Sequence, residues 1–406
     1  MKILGREMKL SELPSRLAGY AANKYRDVRA PKVFKKWRGK TVNGRIKVGF
    51  LVQMPQVWDK QESLYRMMAQ SKDFEPWLII VPAYDFSKEK IGDYGTEKEY
   101  FLSACGGENC IIAWDGSKWA DLKSMRFDYV FYQRPYDHYL PRQYQTDALV
   151  SYTKICYIPY ATPEMRKTGL YPGPFMRNIY LGFMEDEGAA EINNKAHPHE
   201  GHTSFYSLGY PAFEKALKAQ NDCAYTSVLW TPRWSVASSH FLQYHKHFED
   251  LDWTGKVFTV RPHPLMWSNF EKTGKLSADE AADIRSLWKE KGIAEDTNAS
   301  VEDSFKTTDI LISDMSSIIA MFFMSGKPII FCPVKKDFGS MFSALLPGLY
   351  VADSWEELST HLNMLLSGKD PLAEKRKTII DTYFAKSKDA TGRIFEKILE
   401  DARGIG

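Results

Sequence analysis

The chain has 406 residues, 44% of them hydrophobic and 26% charged, with 54 Lys+Arg against 51 Asp+Glu and five cysteines. This is globular composition of a length that allows two domains, and it excludes a disordered chain or a small disulfide-framed fold. No stretch of about 18 uninterrupted apolar residues occurs, and the opening MKILGREMKL has charges where a signal peptide needs its apolar segment, so a cytoplasmic protein is expected.

Taken in chain order, residues 1–45 come first and hold 13 Lys+Arg against 3 Asp+Glu, leaving the remainder acidic. Leu17, Tyr20, Ala21, Tyr25 and Val28 recur at roughly helical spacing, and Val33, Phe34 and Trp37 come next among lysines. Two readings fit. One is a surface helix docking on an anionic membrane; the other is a solvated helix packed on the domain behind it. From Arg45, strand-length apolar runs alternate with helix-length amphipathic stretches. The runs are IKVGFLV (46–52), PWLIIVP (76–82), CIIAW (110–114), DYVFYQ (128–133) and KICYIPY (154–160). Such alternation predicts a parallel sheet covered on both faces. Cys105 and Cys110 read as a reduced loop. GFMEDEGAAE reads as a solvated charge run, and AHPHEGH, with His197, His199 and His202, as a flexible solvated linker in preference to a metal site.

The rhythm then restarts with SVLWTPR (227–233), KVFTVRP (256–262), DILIS (309–313), PIIFCP (328–333) and LYVA (349–352). The expected domains are therefore a basic segment (1–45), a first α/β domain (46–204) and a second one (205–406) closed by the last helices. Both are expected to be doubly wound sheets facing a cleft, with function at the carboxyl ends of the strands.

Three strand ends in the second domain carry polar groups suited to phosphate. SDMSS places Asp314, Ser316 and Ser317 where a strand hands over to a helix, so free N–H groups and two hydroxyls meet the positive end of the helix dipole. An N-cap explains one serine; the doublet asks for more. VRPHP sets Arg261 and His263 on a turn stiffened by two prolines, and LWTPRWS adds Thr231 and Arg233. Trp230, Trp234 and Trp267 nearby read mainly as core. Donors without an acidic cage predict a diphosphate held by protein groups, with no metal and no cofactor beyond a nucleotide-linked donor, and no nucleic-acid partner.

These motifs, DILISDMSSIIAMFFMSGKPIIF, RPHP, LWTPRW and LGYPAFEK, with PGLYVADSWEEL and KDATGRIFEKI later, resemble the CDP-glycerol glycerophosphotransferase family of teichoic-acid and capsule polymerases over roughly residues 205 to 400. The resemblance implies a GT-B fold and transfer of a polyol phosphate from a CDP-linked donor to a hydroxyl of a surface polymer or its lipid-linked precursor. It implies that Arg261, Ser316 and Ser317 hold the diphosphate, that His263 contacts phosphate or acts as an acid, and that Thr391 and Arg393 approach the same phosphates. A GT-B glycosyltransferase using a nucleotide sugar and an inactive nucleotide-binding scaffold are the alternatives. The sequence departs from the family pattern at IPYATP, where Tyr160 and Ala161 replace the family's His and Gly while Thr162 and Pro163 match. Met321 stands where family helices carry Asp. The catalytic base is thus left open between Tyr160, Asp137 and His138.

Overall fold

A computed structural model describes the chain apart from residues 1, 4–5, 8–12, 86–89, 107–108, 163–172, 200, 219–221, 299–300, 335, 337 and 406. The chain forms two compact units. The first comprises Met1–Tyr160, Leu170–Pro211 and Ala390–Gly406; the second comprises Ala161–Gly169 and Ala212–Asp389.

In the first unit, strands β1 (Ile46–Val52), β2 (Phe74–Ile80), β3 (Cys110–Ile112), β4 (Tyr129–Tyr132), β5 (Lys154–Tyr157), β6 (Leu181–Phe183) and β7 (Phe205–Tyr206) make one sheet in the order β7-β6-β5-β4-β1-β2-β3. Every pairing in it is parallel. Its central strands are near-continuous apolar runs because helices cover both faces: β4 and β5 are buried throughout, and β1 at all but Lys47. Gly49 sits inside β1 because a Cβ there would lie 2.7 Å from the Ile79 side chain.

The second unit repeats the plan. Strands β8 (Ser227–Thr231), β9 (Val257–Val260), β10 (Ala294–Glu295), β11 (Ile310–Ser313), β12 (Ile329–Phe331) and β13 (Tyr350–Val351) are ordered β10-β9-β8-β11-β12-β13, again parallel. Both sheets begin at an inner strand, run outward to one edge, then return to the other side. Each therefore has a topological switch point, between β1 and β4 in the first unit and between β8 and β11 in the second. Trp230, Phe241, Phe248, Phe258 and Trp288 form the aromatic centre of the second core.

Four expectations need correction. The last helix does not close the second domain: the helix Ala390–Arg403 belongs to the first unit. There its Asp401 accepts from Lys154 Nζ and Tyr129 Oη, both at 2.6 Å, and from Tyr180 Oη at 3.0 Å. The boundary moves as well, because Phe205–Tyr206 pairs with β6 in the first sheet. Secondly, the histidine-rich piece is packed rather than solvated. His197 and His199 are buried, His202 donates from Nε2 to the Tyr180 carbonyl at 2.8 Å, and the Phe34 ring lies 4.5 Å from His199 and 5.3 Å from His202. Thirdly, the charge run after β6 turns inward: Glu185 and Asp186 are buried, and Asp186 caps the helix Glu187–Ala196 by accepting from the Ala189 amide at 2.6 Å. Finally, Cys105 and Cys110 are joined as a disulfide.

The basic segment forms the helix α1 (Leu13–Trp37), which buries Ala30 and Phe34 and ties Arg29 to the Asp147 carbonyl at 2.7 Å. Its C-terminal half is thus docked on its own unit, while Tyr25 and Val28 stay exposed. Among the described residues no helix is long and apolar enough to cross a membrane.

Candidate functional site

In the second unit, β8 lies between β9 and β11, so the three turns singled out in the sequence leave the sheet side by side. Trp230 is in register with Val260 and with Ile312, and Thr231 with Ser313. The turns are bonded directly to one another. Thr231 Oγ1 donates to Ser313 Oγ at 2.8 Å, the Arg233 amide donates to Asp314 Oδ2 at 3.0 Å, and the Arg233 guanidinium bonds the Met315 carbonyl. On the other side the His263 amide donates to the Pro232 carbonyl at 3.2 Å.

Within this frame Ser316 and Ser317 remain partly exposed. Ser316 is the N-cap of α2 (Ser317–Phe323), its Oγ accepting from the Ile318 amide at a long 3.4 Å, so the hydroxyl proton can be donated outward. Behind them the helix buries Ile319 through Phe323. Met321, which stands where the family has Asp, is part of that apolar filling.

His263 is oriented by its own turn. Nδ1 accepts from the Leu265 amide at 3.1 Å, which assigns the proton of the neutral ring to Nε2. Burial, and secondarily the Arg233 charge, lower its pKa, so the ring is a neutral donor at neutral pH.

Three predicted ligands are also bonded within the surrounding protein. Thr231 is buried and spends its hydroxyl on β11. Asp314 is 1% exposed; besides the Arg233 amide it accepts from the His240 amide at 3.2 Å and meets His240 Nδ1 at 2.9 Å. A carboxylate open to the mouth of an anion site would repel the ligand, and burial against these donors removes that conflict. Arg261 is bonded to Asp296 Oδ2 at 2.8 Å and to Ser304 Oγ at 3.2 Å. Asp296, although burial raises its pKa, is held below the usual range by hydrogen bonds from Ser304, the Asn298 amide and Arg261. Trp230 is core, as read from the sequence, whereas Trp234 is exposed with its ring 6.3 Å from that of His263.

Thr391 and Arg393 belong to the first unit. Thr391 is buried with Oγ1 2.9 Å from Ser63 Oγ, and Arg393 is exposed on the same helix. The remaining base candidates lie at the carboxyl ends of β4 and β5. Tyr160 Oη is 2.9 Å from Tyr136 Oη, and burial with that hydrogen bond raises its pKa, so it is no base near neutrality. Asp137 accepts from the Thr146 amide and hydroxyl, each at 2.8 Å. His138 is exposed, its ring 4.1 Å from Tyr139. Sequence reading missed His240 and Arg134. His240 precedes a helix with no motif of its own. Arg134 stands in the run QRPYDHYLP, and its place one turn beyond a switch-point strand was the signal that could have found it. Among the described residues no cluster of three or more His, Cys, Asp or Glu is placed to hold a metal ion.

Residues 228–400 match the family model described as CDP-glycerol:poly(glycerophosphate) glycerophosphotransferase. Over those residues, less than half of the chain, the sequence is similar to that family. The matched segment contains the three turns of Arg233, His263 and Ser316 in the second unit. No curated protein matches by sequence. Among solved structures, a variant of the wall teichoic acid polymerase TagF matches with TM-score 0.52 at 13% identity, covering 98% of this chain and 99% of that one. A putative UDP-N-acetylglucosamine 2-epimerase from Listeria monocytogenes gives TM-score 0.57 at 10% identity, covering 88% and 96%. The UDP-GlcNAc 2-epimerase from Neisseria meningitidis, bound to UDP-GlcNAc, gives 0.55 at 12%, covering 87% and 100%. At these identities the likeness shows the fold, which is of GT-B type.

Proposed function

We propose that this protein transfers glycerol phosphate, or a related polyol phosphate, from a CDP-linked donor to a hydroxyl of a cell-surface polymer or its lipid-linked precursor. The observation carrying this reading is that the family match falls on the second unit's switch point, where the turns of Arg233, His263 and Ser316 are hydrogen-bonded into one frame. Hydroxyl donors of Ser316 and Ser317 and Nε2–H of His263 would hold the donor diphosphate. The acceptor oxygen attacks the phosphorus bearing the polyol, the bond from that phosphorus to the CMP oxygen breaks, and CMP leaves with the electron pair. Negative charge grows on phosphoryl oxygens, so donors fixed in advance supply most of the rate enhancement. The acceptor's proton needs a base.

The test is calorimetric titration with CDP, CDP-glycerol, UDP and UDP-sugars, coupled to product analysis. Preference for cytidine and release of CMP are expected, with His263→Ala lowering turnover at least about a hundredfold. Preference for UDP-sugars with release of a nucleoside diphosphate would replace this reading with sugar transfer. Nucleotide affinity without turnover of any donor would replace it with a scaffold.

The acceptor side is read as membrane-apposed. The exposed Tyr25 and Val28 of α1 lie beside Arg29, Lys32 and Lys36 in one open groove, an arrangement suited to anionic headgroups. Lys24→Glu with Lys32→Glu and Lys36→Glu should reduce co-sedimentation with anionic vesicles; equal sedimentation would remove the membrane from this reading.

A further inference from the structure

The first unit has its own switch point, and an arginine stands on it. Arg134 follows Gln133 just past the end of β4, and Pro135 stiffens the turn beyond it. Its surroundings are unusual for a cation that is largely withdrawn from solvent. One terminal nitrogen donates to Gln53 Oε1 at 2.8 Å, and the guanidinium lies 4.7 Å over the Tyr139 ring. Its Nε is buried with no hydrogen-bond partner, and no carboxylate among the described residues pairs with it. Burial lowers its pKa, and the other groups acting on it are the hydroxyls of Tyr139, Tyr160 and Tyr136.

The neighbours that hold Arg134 are themselves fixed. Gln53 Nε2 donates to the Pro82 and Tyr139 carbonyls, both at 3.1 Å, so its amide oxygen can only be the end that faces the arginine. Gln133 clamps the ends of β1 and β4 together, its Oε1 accepting from the Gln53 and Met54 amides at 2.8 Å each and its Nε2 donating to the Met54 carbonyl at 2.7 Å. Tyr136 and Tyr160 join their hydroxyls at 2.9 Å, a pair of phenols within electrostatic reach of the guanidinium. A rigid cradle thus presents a fork of N–H groups next to phenol hydroxyls, and no carboxylate among the described residues neutralises it. Such a cation is costly unless something negative joins it, and a guanidinium fork matches the geometry of two phosphate oxygens.

We propose that Arg134, with the hydroxyls of Tyr136 and Tyr160, binds a phosphate ester of the acceptor chain at the switch point of the first unit. Only the source of the phosphate rests on the transferase reading; the anion site itself rests on the first unit's geometry. An acceptor already carrying one polyol phosphate would be gripped through it, and a neutral polyol would not.

The test titrates the full chain with a synthetic glycerol phosphate trimer, with an uncharged glycerol trimer and with CDP. The expected result is that the phosphorylated trimer binds and the uncharged one does not, that Arg134→Gln weakens the phosphorylated trimer about tenfold or more, and that CDP affinity stays within about twofold. Tyr160→Phe, which keeps the ring, is expected to weaken the trimer about threefold, and this arm decides the matter if Arg134→Gln does not fold. Equal trimer binding by wild type and both variants overturns the site. Loss of CDP with retained trimer binding overturns the acceptor as the source. A wild type that binds the phosphorylated trimer through Arg134 but no cytidine nucleotide keeps this site and ends the transferase reading.

Discussion

Asp314 shows how much one side chain can organise without touching a ligand. At 1% exposure it receives two backbone amides and the His240 ring, which fixes the turn that carries Arg233. Asp314→Asn puts an NH2 against one of those donors. It should lower stability by about 2 kcal/mol or more, read as a reduced urea midpoint, and loosen nucleotide binding at the same time. His263 offers a test through pH. Its folded pKa lies below the unfolded value of about 6.5, so the unfolded chain binds more protons in the window beneath that value. Stability is therefore fully present above the window and falls as pH drops through it. His202, also lowered by burial, adds in the same sense. Urea titrations from pH about 7.5 to about 5 should show a shallower fall for His263→Gln than for wild type; parallel curves would contradict the lowered pKa. Protonation also removes the Nδ1 lone pair that receives the Leu265 amide, so acid should disorder the turn as well as charge it.

At the scale of elements, the last helix is the instructive case. Residues Ala390–Arg403 come after the second unit in sequence but are held in the first by Asp401 against the buried Lys154, by Arg403 on Asp73 at 3.1 Å and by Phe395 on Phe74 at 4.7 Å. Removing Asp401 strands the Lys154 charge in the interior. Asp401→Ala should therefore destabilise the first unit by about 3 kcal/mol or more, whereas Asp401→Ala with Lys154→Met should recover most of it. Thermal unfolding of the single and double variants measures the difference. The helix after Ser316 is a second case. Ser316 caps a short, heavily buried helix, so Ser316→Ala should cost about 1 kcal/mol of stability while affecting donor affinity more than this capping loss alone accounts for.

For the molecule as a whole, the two units share one plan of strand order, and polar groups gather at the switch point of each. The first unit is discontinuous in sequence, which makes a simple prediction. A fragment of residues 1–211 lacks the partner of Lys154 and should be poorly soluble or unfolded by circular dichroism, and adding residues 390–406 in trans or by a linker should restore it. Independent folding of 1–211 alone would show that the helix is an accessory.

Much of this was legible in the sequence because parallel strands buried on both faces must be apolar nearly throughout, and the runs at 46–52, 154–160, 227–233 and 309–313 could be little else. Strand ends come with strands, so the turns of Arg233, His263 and Ser316 could be named as one layer from the sequence. The strands β6, β7 and β10 were missed. What the sequence determined by itself was therefore the class of fold, the segment similar to the family and the adjacency of the three turns at the strand ends of the second unit, all of which depend on local pattern. Which polar side chains face outward was decided only by tertiary structure. Arg261 is bonded to Asp296, Asp314 is sealed under His240, Thr391 is bonded to Ser63, and Arg134 has no carboxylate partner among the described residues. The physical reason is that the charge a side chain has left for a ligand depends on neighbours up to hundreds of residues away in the chain, and no local pattern encodes them.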